Sequence, residues 1–168
     1  MTIRYVREFK GFAGIRLESD DIGTADDPSI ILLHGFGQTR KVWEDVAVGL
    51  EQAGRHVINV DLRGHGGSGT ANGDTSYRTQ LDDDLMDFLE ATGLTDRKIQ
   101  RTLIGFSSGG GFVLRTASGA NRQAFDAYLA ISPFVAPDAP TTRPASGGWA
   151  SVAVPRVIAL SILDGFGV

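Results

Sequence analysis

No cysteine occurs among the 168 residues, and that absence removes disulfides, thiolate metal sites and cysteine nucleophiles together. Clusters of lysine and arginine are missing too. Sixteen basic residues are scattered against 20 acidic ones, for a net charge of −4, so no nucleic acid is expected as a partner. The opening "MTIRYVREFKGF" carries charges where a signal peptide needs an apolar centre. No apolar stretch approaches the length of a membrane span, the longest near the end being "VIALSIL". The expected address is the cytoplasm. Histidine is scarce as well: His34, His56 and His65 are the only three.

What is abundant is glycine, 22 residues of it, and its placement carries the information. "IRYVREF" and, after Lys10–Gly11 and Phe12, "AGIRLES" read as an N-terminal hairpin. "SIILLHG" is apolar throughout, as in a strand buried on both faces. From Thr39 to Ala53 the positions Val42, Trp43, Val46, Leu50 and Ala53 recur at helical spacing, with Gly54 as the stop. The strand "HVINVDL" follows, then the loop "RGHGGSGTANGD" and a helix from about Ser76 to Thr92. Asp82, Asp83 and Asp84 on that helix read as a solvated face. "RTLIGF" is a strand, "GGFVLRTASG" a helix and "FDAYLAIS" a fourth strand of the alternating series. Alternation of this kind builds a parallel sheet with helices on both faces. After Pro133 the pattern gives way to "PFVAPDAPTTRPASGGWASVAVPR", rich in Pro, Gly, Ser and Thr.

Two glycine loops compete as sites. Gly64 to Gly69 matches G-x-G-x-x-G, but the turn-forming "TANGDTS" follows it where a dinucleotide fingerprint opens into a helix. "GFSSGGG" lacks the lysine of a P-loop. It does fit G-x-S-x-G over Gly105–Gly109, between a strand and a helix, which is the context a serine nucleophile requires. Three consecutive glycines at a helix start cost about 1 kcal/mol each relative to alanine, and close approach of the helix to the sheet is a reason to keep them. The plainer alternative is a serine that only caps a helix. Acyl transfer needs oxyanion donors besides the nucleophile. The backbone N–H of Ser108 is one such donor, and the glycine-flanked Phe36 in "LLHGFGQT" supplies another.

"HGFG", "VDLRGHGGSG" and "GFSSGGG", each after a strand, resemble an α/β-hydrolase, and the likeness extends through "SYRTQLDDDLMDFL" into the stretch after Pro133. The subgroup it resembles is that of bacterial lysophospholipase-like or serine-aminopeptidase-like hydrolases. The resemblance implies Ser107 as nucleophile, the Phe36 and Ser108 amides as oxyanion hole, and the beginning of a cap after the fourth parallel strand. It divides the chain into the N-terminal part of a hydrolase core, 1–132, and the start of a cap, 133–168. It implies a small-molecule ester or acyl substrate, with no metal or organic cofactor. In that family the acid and the histidine follow the serine. Here all three histidines precede Ser107, and Asp138 and Asp164 are weak candidates for the acid. The chain therefore reads as the N-terminal part of a hydrolase, expected to be inactive alone. The alternative is a catalytically silent relative that binds a small molecule or a partner. "FDAYLAIS" has the composition of an interior strand but no following partner, so an exposed edge and self-association through it are expected.

Overall fold

A computed structural model describes residues 4–10, 16–69, 75, 77–95 and 98–136. The chain divides into two compact units, Met1–Pro133 and Phe134–Val168. Beyond Ala136 the second unit lies outside the described residues, and with it the expected cap, Asp138 and Asp164.

The first unit is a six-stranded mixed sheet flanked by helices. Its elements in chain order are β1 (Arg4–Lys10), β2 (Arg16–Ile22), β3 (Ser29–Leu33), a 3-10 turn (Arg40–Trp43), α1 (Glu44–Gln52) and β4 (His56–Val60). They continue with α2 (Gln80–Ala91), β5 (Arg101–Phe106), α3 (Ser108–Ser118) and β6 (Ala127–Ile131). Across the sheet the strands run β1-β2-β4-β3-β5-β6. β1 and β2 pair antiparallel, as does β2 with β4, while β4, β3, β5 and β6 are parallel. This is the α/β-hydrolase arrangement of an antiparallel pair leading into parallel strands that alternate with helices.

β3 and β4 are buried at every position, which is why large aliphatic residues fill them apart from Ser29, His56 and Asn59. Alternate side chains feed two cores. Ile31, Leu33, Ile58, Val60 and Leu103 meet Leu85, Phe88 and Leu89 of α2 and Phe112 and Val113 of α3 on one face. Ile30, Leu32 and Val57 meet Trp43 and Ala47 on the other.

Three local expectations are corrected. The helix expected from Thr39 begins as a 3-10 turn, with Val42 N–H on the Thr39 carbonyl, and becomes α-helical only at Glu44. That tighter turn shifts the buried face to Trp43 and Ala47, leaving Val42 and Val46 exposed. The second helix starts at Gln80, after a turn in which the Gln80 N–H bonds the Tyr77 carbonyl. The acidic triplet on it is not a uniformly solvated face either. Asp84 is buried and takes both Nε and Nη2 of Arg63, at 2.7 and 2.6 Å, while Asp82 pairs with Arg115 of α3 at 3.0 Å. Arg63 lies 21 positions away in a glycine loop, so nothing local announces the pair.

Among the described strands β6 is an edge. It pairs only with β5, carries no charged residue, and leaves Leu129 and Ile131 exposed.

Candidate active site

The parallel strands all point their C-terminal ends the same way, and the loops leaving β3, β4 and β5 gather there. At the end of β5 the backbone turns sharply. Ser107 has φ 54° and ψ −118°, a conformation that side-chain-bearing residues avoid. The turn is held by its surroundings: Ser107 N–H donates to the Ile131 carbonyl at 3.0 Å, and its own carbonyl accepts the Gly111 N–H at 2.9 Å, opening α3. Ser107 thus sits at the N-terminus of α3, where the helix dipole favours negative charge.

The glycines around it permit this crossing. A Cβ on Gly109 would lie 2.5 Å from the His34 carbonyl oxygen and 2.6 Å from that of Leu33, and one on Gly105 would overlap the Gly109 carbonyl. α3 therefore rests directly on the backbone of β3 and β5, the close approach expected from the glycine run. Gly35 is constrained from the other side, because its missing Cβ would stand 3.1 Å from Ser107 Cβ and 2.8 Å from Gln38 Oε1. The "HGFG" loop is in this way laid against the serine. Ser108 is the first residue of α3; Phe36 follows Gly35, with its side chain 69% exposed and its ring edge-on to His65 at 6.2 Å.

His34 is fully buried and fixed in one tautomer. Its Nε2 accepts the Leu62 N–H at 3.0 Å, so Nδ1 carries the proton and donates it to the Gly35 carbonyl at 2.8 Å. Burial is the chief influence pushing its pKa below 6.5, with the charge of His65 adding to it and the Gly35 carbonyl and Asp61 opposing. With both ring nitrogens engaged, it ties the β3 loop to the β4 loop. His65 directs Nδ1 to the Arg63 carbonyl at 3.0 Å. His56 lies at the opposite end of the sheet, level with Ser29 and Arg101. At about 3.3 Å per residue this is roughly 20 Å from Ser107. Among the described residues Ser107 Oγ makes no hydrogen bond.

A network of long-range contacts supports the loops. Arg40 donates its backbone N–H to Asp61 at 2.6 Å, its Nε to Asp20 at 3.2 Å and its Nη1 to Glu18 at 3.0 Å and to Asp61. Burial opposes its charge, but Asp20 and Asp61 outweigh this and raise its pKa. The 64–69 loop wraps the same carboxylates. Gly67 N–H reaches Asp61, Ser68 Oγ donates to the Asp61 carbonyl, and Glu18 N–H donates to Ser68 Oγ. A loop filled by Asp61 and Glu18 repels phosphate, so its G-x-G-x-x-G pattern serves the fold. Sequence reasoning missed Arg40, Asp61 and the Arg63–Asp84 pair.

Sheet order and elbow define the chain as an α/β-hydrolase. Residues 24–163 match the family described as "Serine aminopeptidase, S33" (Hydrolase_4), and the chain belongs to that family. Over 112 residues it is 36% identical to the "AB hydrolase superfamily protein YfhM" of Bacillus subtilis, covering 66% of this chain and 38% of that protein. It is 30% identical over 115 residues to the monoacylglycerol lipase of Mycolicibacterium smegmatis, covering 66% of this chain and 40% of the lipase. Among solved structures, epoxide hydrolase A of Mycobacterium thermoresistibile superimposes with a TM-score of 0.64 at 29% identity, covering 75% of this chain and 38% of that one. The chain thus spans about two fifths of the length of these relatives. Among the described residues no helix is long and apolar enough to cross a membrane.

Proposed function

We propose that this chain carries the nucleophile and oxyanion hole of a serine hydrolase acting on carboxylic esters or related acyl compounds. Ser107 attacks the carbonyl carbon, and the Phe36 and Ser108 amides receive the oxygen as it becomes negative. One observation carries the reading: a serine held at positive φ between a strand and a helix, against a glycine loop from the neighbouring strand. Serine at this position favours ester chemistry over that of the epoxide hydrolases, which present aspartate there. The kinship with a monoacylglycerol lipase points the same way.

By itself the 168-residue chain is expected to turn over poorly. Serine is a weak nucleophile at neutral pH without a base; His34 and His56 have both ring nitrogens engaged, and His65 lies in the loop after β4, not in the late loop from which this fold draws its base. An oxyanion hole alone leaves a rate far below the roughly 10 per second of a typical enzyme.

The test is hydrolysis of a short activated ester by the chain and by Ser107→Ala, with and without imidazole as a diffusible base. The expected result is negligible turnover without imidazole and a Ser107-dependent increment with it. Robust imidazole-free turnover lost in Ser107→Ala, but kept in His34→Ala, would reveal a base elsewhere. Loss in both would promote His34. No Ser107-dependent increment at all would favour the catalytically silent reading.

A further inference from the structure

Gly35 presents a physical conflict. Glycine suits the position, because a Cβ there would stand 3.1 Å from Ser107 Cβ and would displace Gln38 Oε1 at 2.8 Å. Glycine is also the residue that holds its backbone least firmly. The two peptide groups flanking Gly35 lead into the Phe36 amide, so any freedom at Gly35 becomes a misdirected Phe36 N–H. The 35–36 peptide is pinned by its carbonyl, which accepts from His34 Nδ1 at 2.8 Å and from Gln38 N–H at 3.2 Å. Because a peptide group is planar, fixing that carbonyl also fixes the direction of the Phe36 N–H. The 34–35 peptide is held separately, by Gly35 N–H donating to Gln38 Oε1 at 3.1 Å. Gln38 thus closes the turn from both sides, once with its backbone and once with its side chain.

We infer that Gln38 is a positioning residue: its side-chain carbonyl holds the glycine hinge in the conformation that presents the Phe36 amide beside Ser107. This rests on the oxyanion-hole reading of Phe36. The side-chain amide nitrogen of Gln38 is not needed for the role, which predicts that any acceptor of the same reach suffices.

The experiment compares the full chain with Gln38→Met, which keeps the length but loses the acceptor, and Gln38→Glu, which keeps both. Two quantities are read: amide exchange at Gly35 by NMR, and the rate at which a fluorophosphonate labels Ser107 by intact mass with imidazole present as the diffusible base, taking Ser107→Ala under the same conditions as blank. In Gln38→Met the Gly35 amide is expected to lose protection and labelling to slow about tenfold, a fraction of the loss when an oxyanion donor is removed outright. Gln38→Glu restores the protection and most of the rate. If Gln38→Met does not fold, Gln38→Asn, one carbon too short, takes its place. Lost protection with unchanged labelling would overturn the inference, as would failure of Gln38→Glu to restore protection. Labelling of the wild-type chain no faster than the blank would overturn the oxyanion reading itself, and the positioning role with it, whatever Gly35 does.

Discussion

Ser29 and Ser107 stand at opposite ends of the parallel strands and differ in every property that bears on reactivity. Ser29 Oγ lies 3.0 Å from His56 Nδ1, and His56 Nε2 lies 2.6 Å from Asp21, so a contact list alone shows a Ser-His-Asp chain there. Yet Ser29 is 1% exposed, lies in a regular strand and has no strained turn, so no substrate can reach it. The arrangement joins β2, β3 and β4 at their buried end. Ser107 has no such partner, but it is half-exposed, held at positive φ, and faced by a glycine loop. Hydrogen-bonded company does not make a nucleophile. On the proposed reading of Ser107, backbone geometry and access matter more, and a base is a separate requirement.

The largest effect expected from that contrast is all-or-none. With imidazole supplied as the base, fluorophosphonate labelling followed by peptide mapping should place every adduct on Ser107, vanish in Ser107→Ala, and persist in Ser29→Ala. An adduct on Ser29 would reverse the comparison. Next comes Gly109→Ala, whose added carbon collides with the carbonyls of Leu33 and His34. It should cost about 3 kcal/mol or more in urea unfolding, in line with severe overpacking. A cost below about 1 kcal/mol would mean that α3 can lift off the sheet.

At the other end, His56→Ala leaves Ser29 and Asp21 buried without their shared partner, and about 2 kcal/mol of stability should be lost. Labelling of the folded fraction should not change. A smaller effect is expected at His34. Burial holds the His34 pKa below 6.5, so the folded protein binds that proton less readily than the unfolded chain. The stability carried by neutral His34 is complete above pH 6.5 and declines as the pH falls below it, by at most about 1.4 kcal/mol per pH unit for one proton. Urea titrations between pH 7.5 and 5.5 should show this slope, and His34→Gln should remove its share. The least change in monomer stability, within about 0.5 kcal/mol, is expected from Leu129→Lys on the exposed face of β6. Light scattering should nonetheless show less self-association, because charge on an edge strand opposes pairing with another chain. Undiminished association would move the contact away from β6.

How far the residues announced all this varies with the distance over which each feature is assembled. The largely aliphatic runs of β3 and β4 revealed doubly buried strands because that burial tolerates few other residues. The phase of the first helix is not legible in its own spacing, because it opens as a 3-10 turn over Arg40–Trp43, where Asp61 from 21 residues away accepts the Arg40 N–H. Asp84 reads as a solvated charge for a similar reason, since its partner Arg63 is brought to it only by folding.

The pattern of the elbow is written in the sequence: a strand, Gly105, Ser107 and a run of glycines before a helix. So is the alternation of strands and helices that makes the sheet parallel. The Leu33, His34 and Ile131 carbonyls against which the elbow packs come from other strands and their loops. What only the tertiary structure decided is which polar groups meet: His34 bridging the β3 and β4 loops, Gln38 over Gly35, Arg40 among three carboxylates, and the Ser29–His56–Asp21 chain at the far end. Hydrogen bonds act over about 3 Å and carry no trace in the spacing of residues that folding brings together from tens of positions apart.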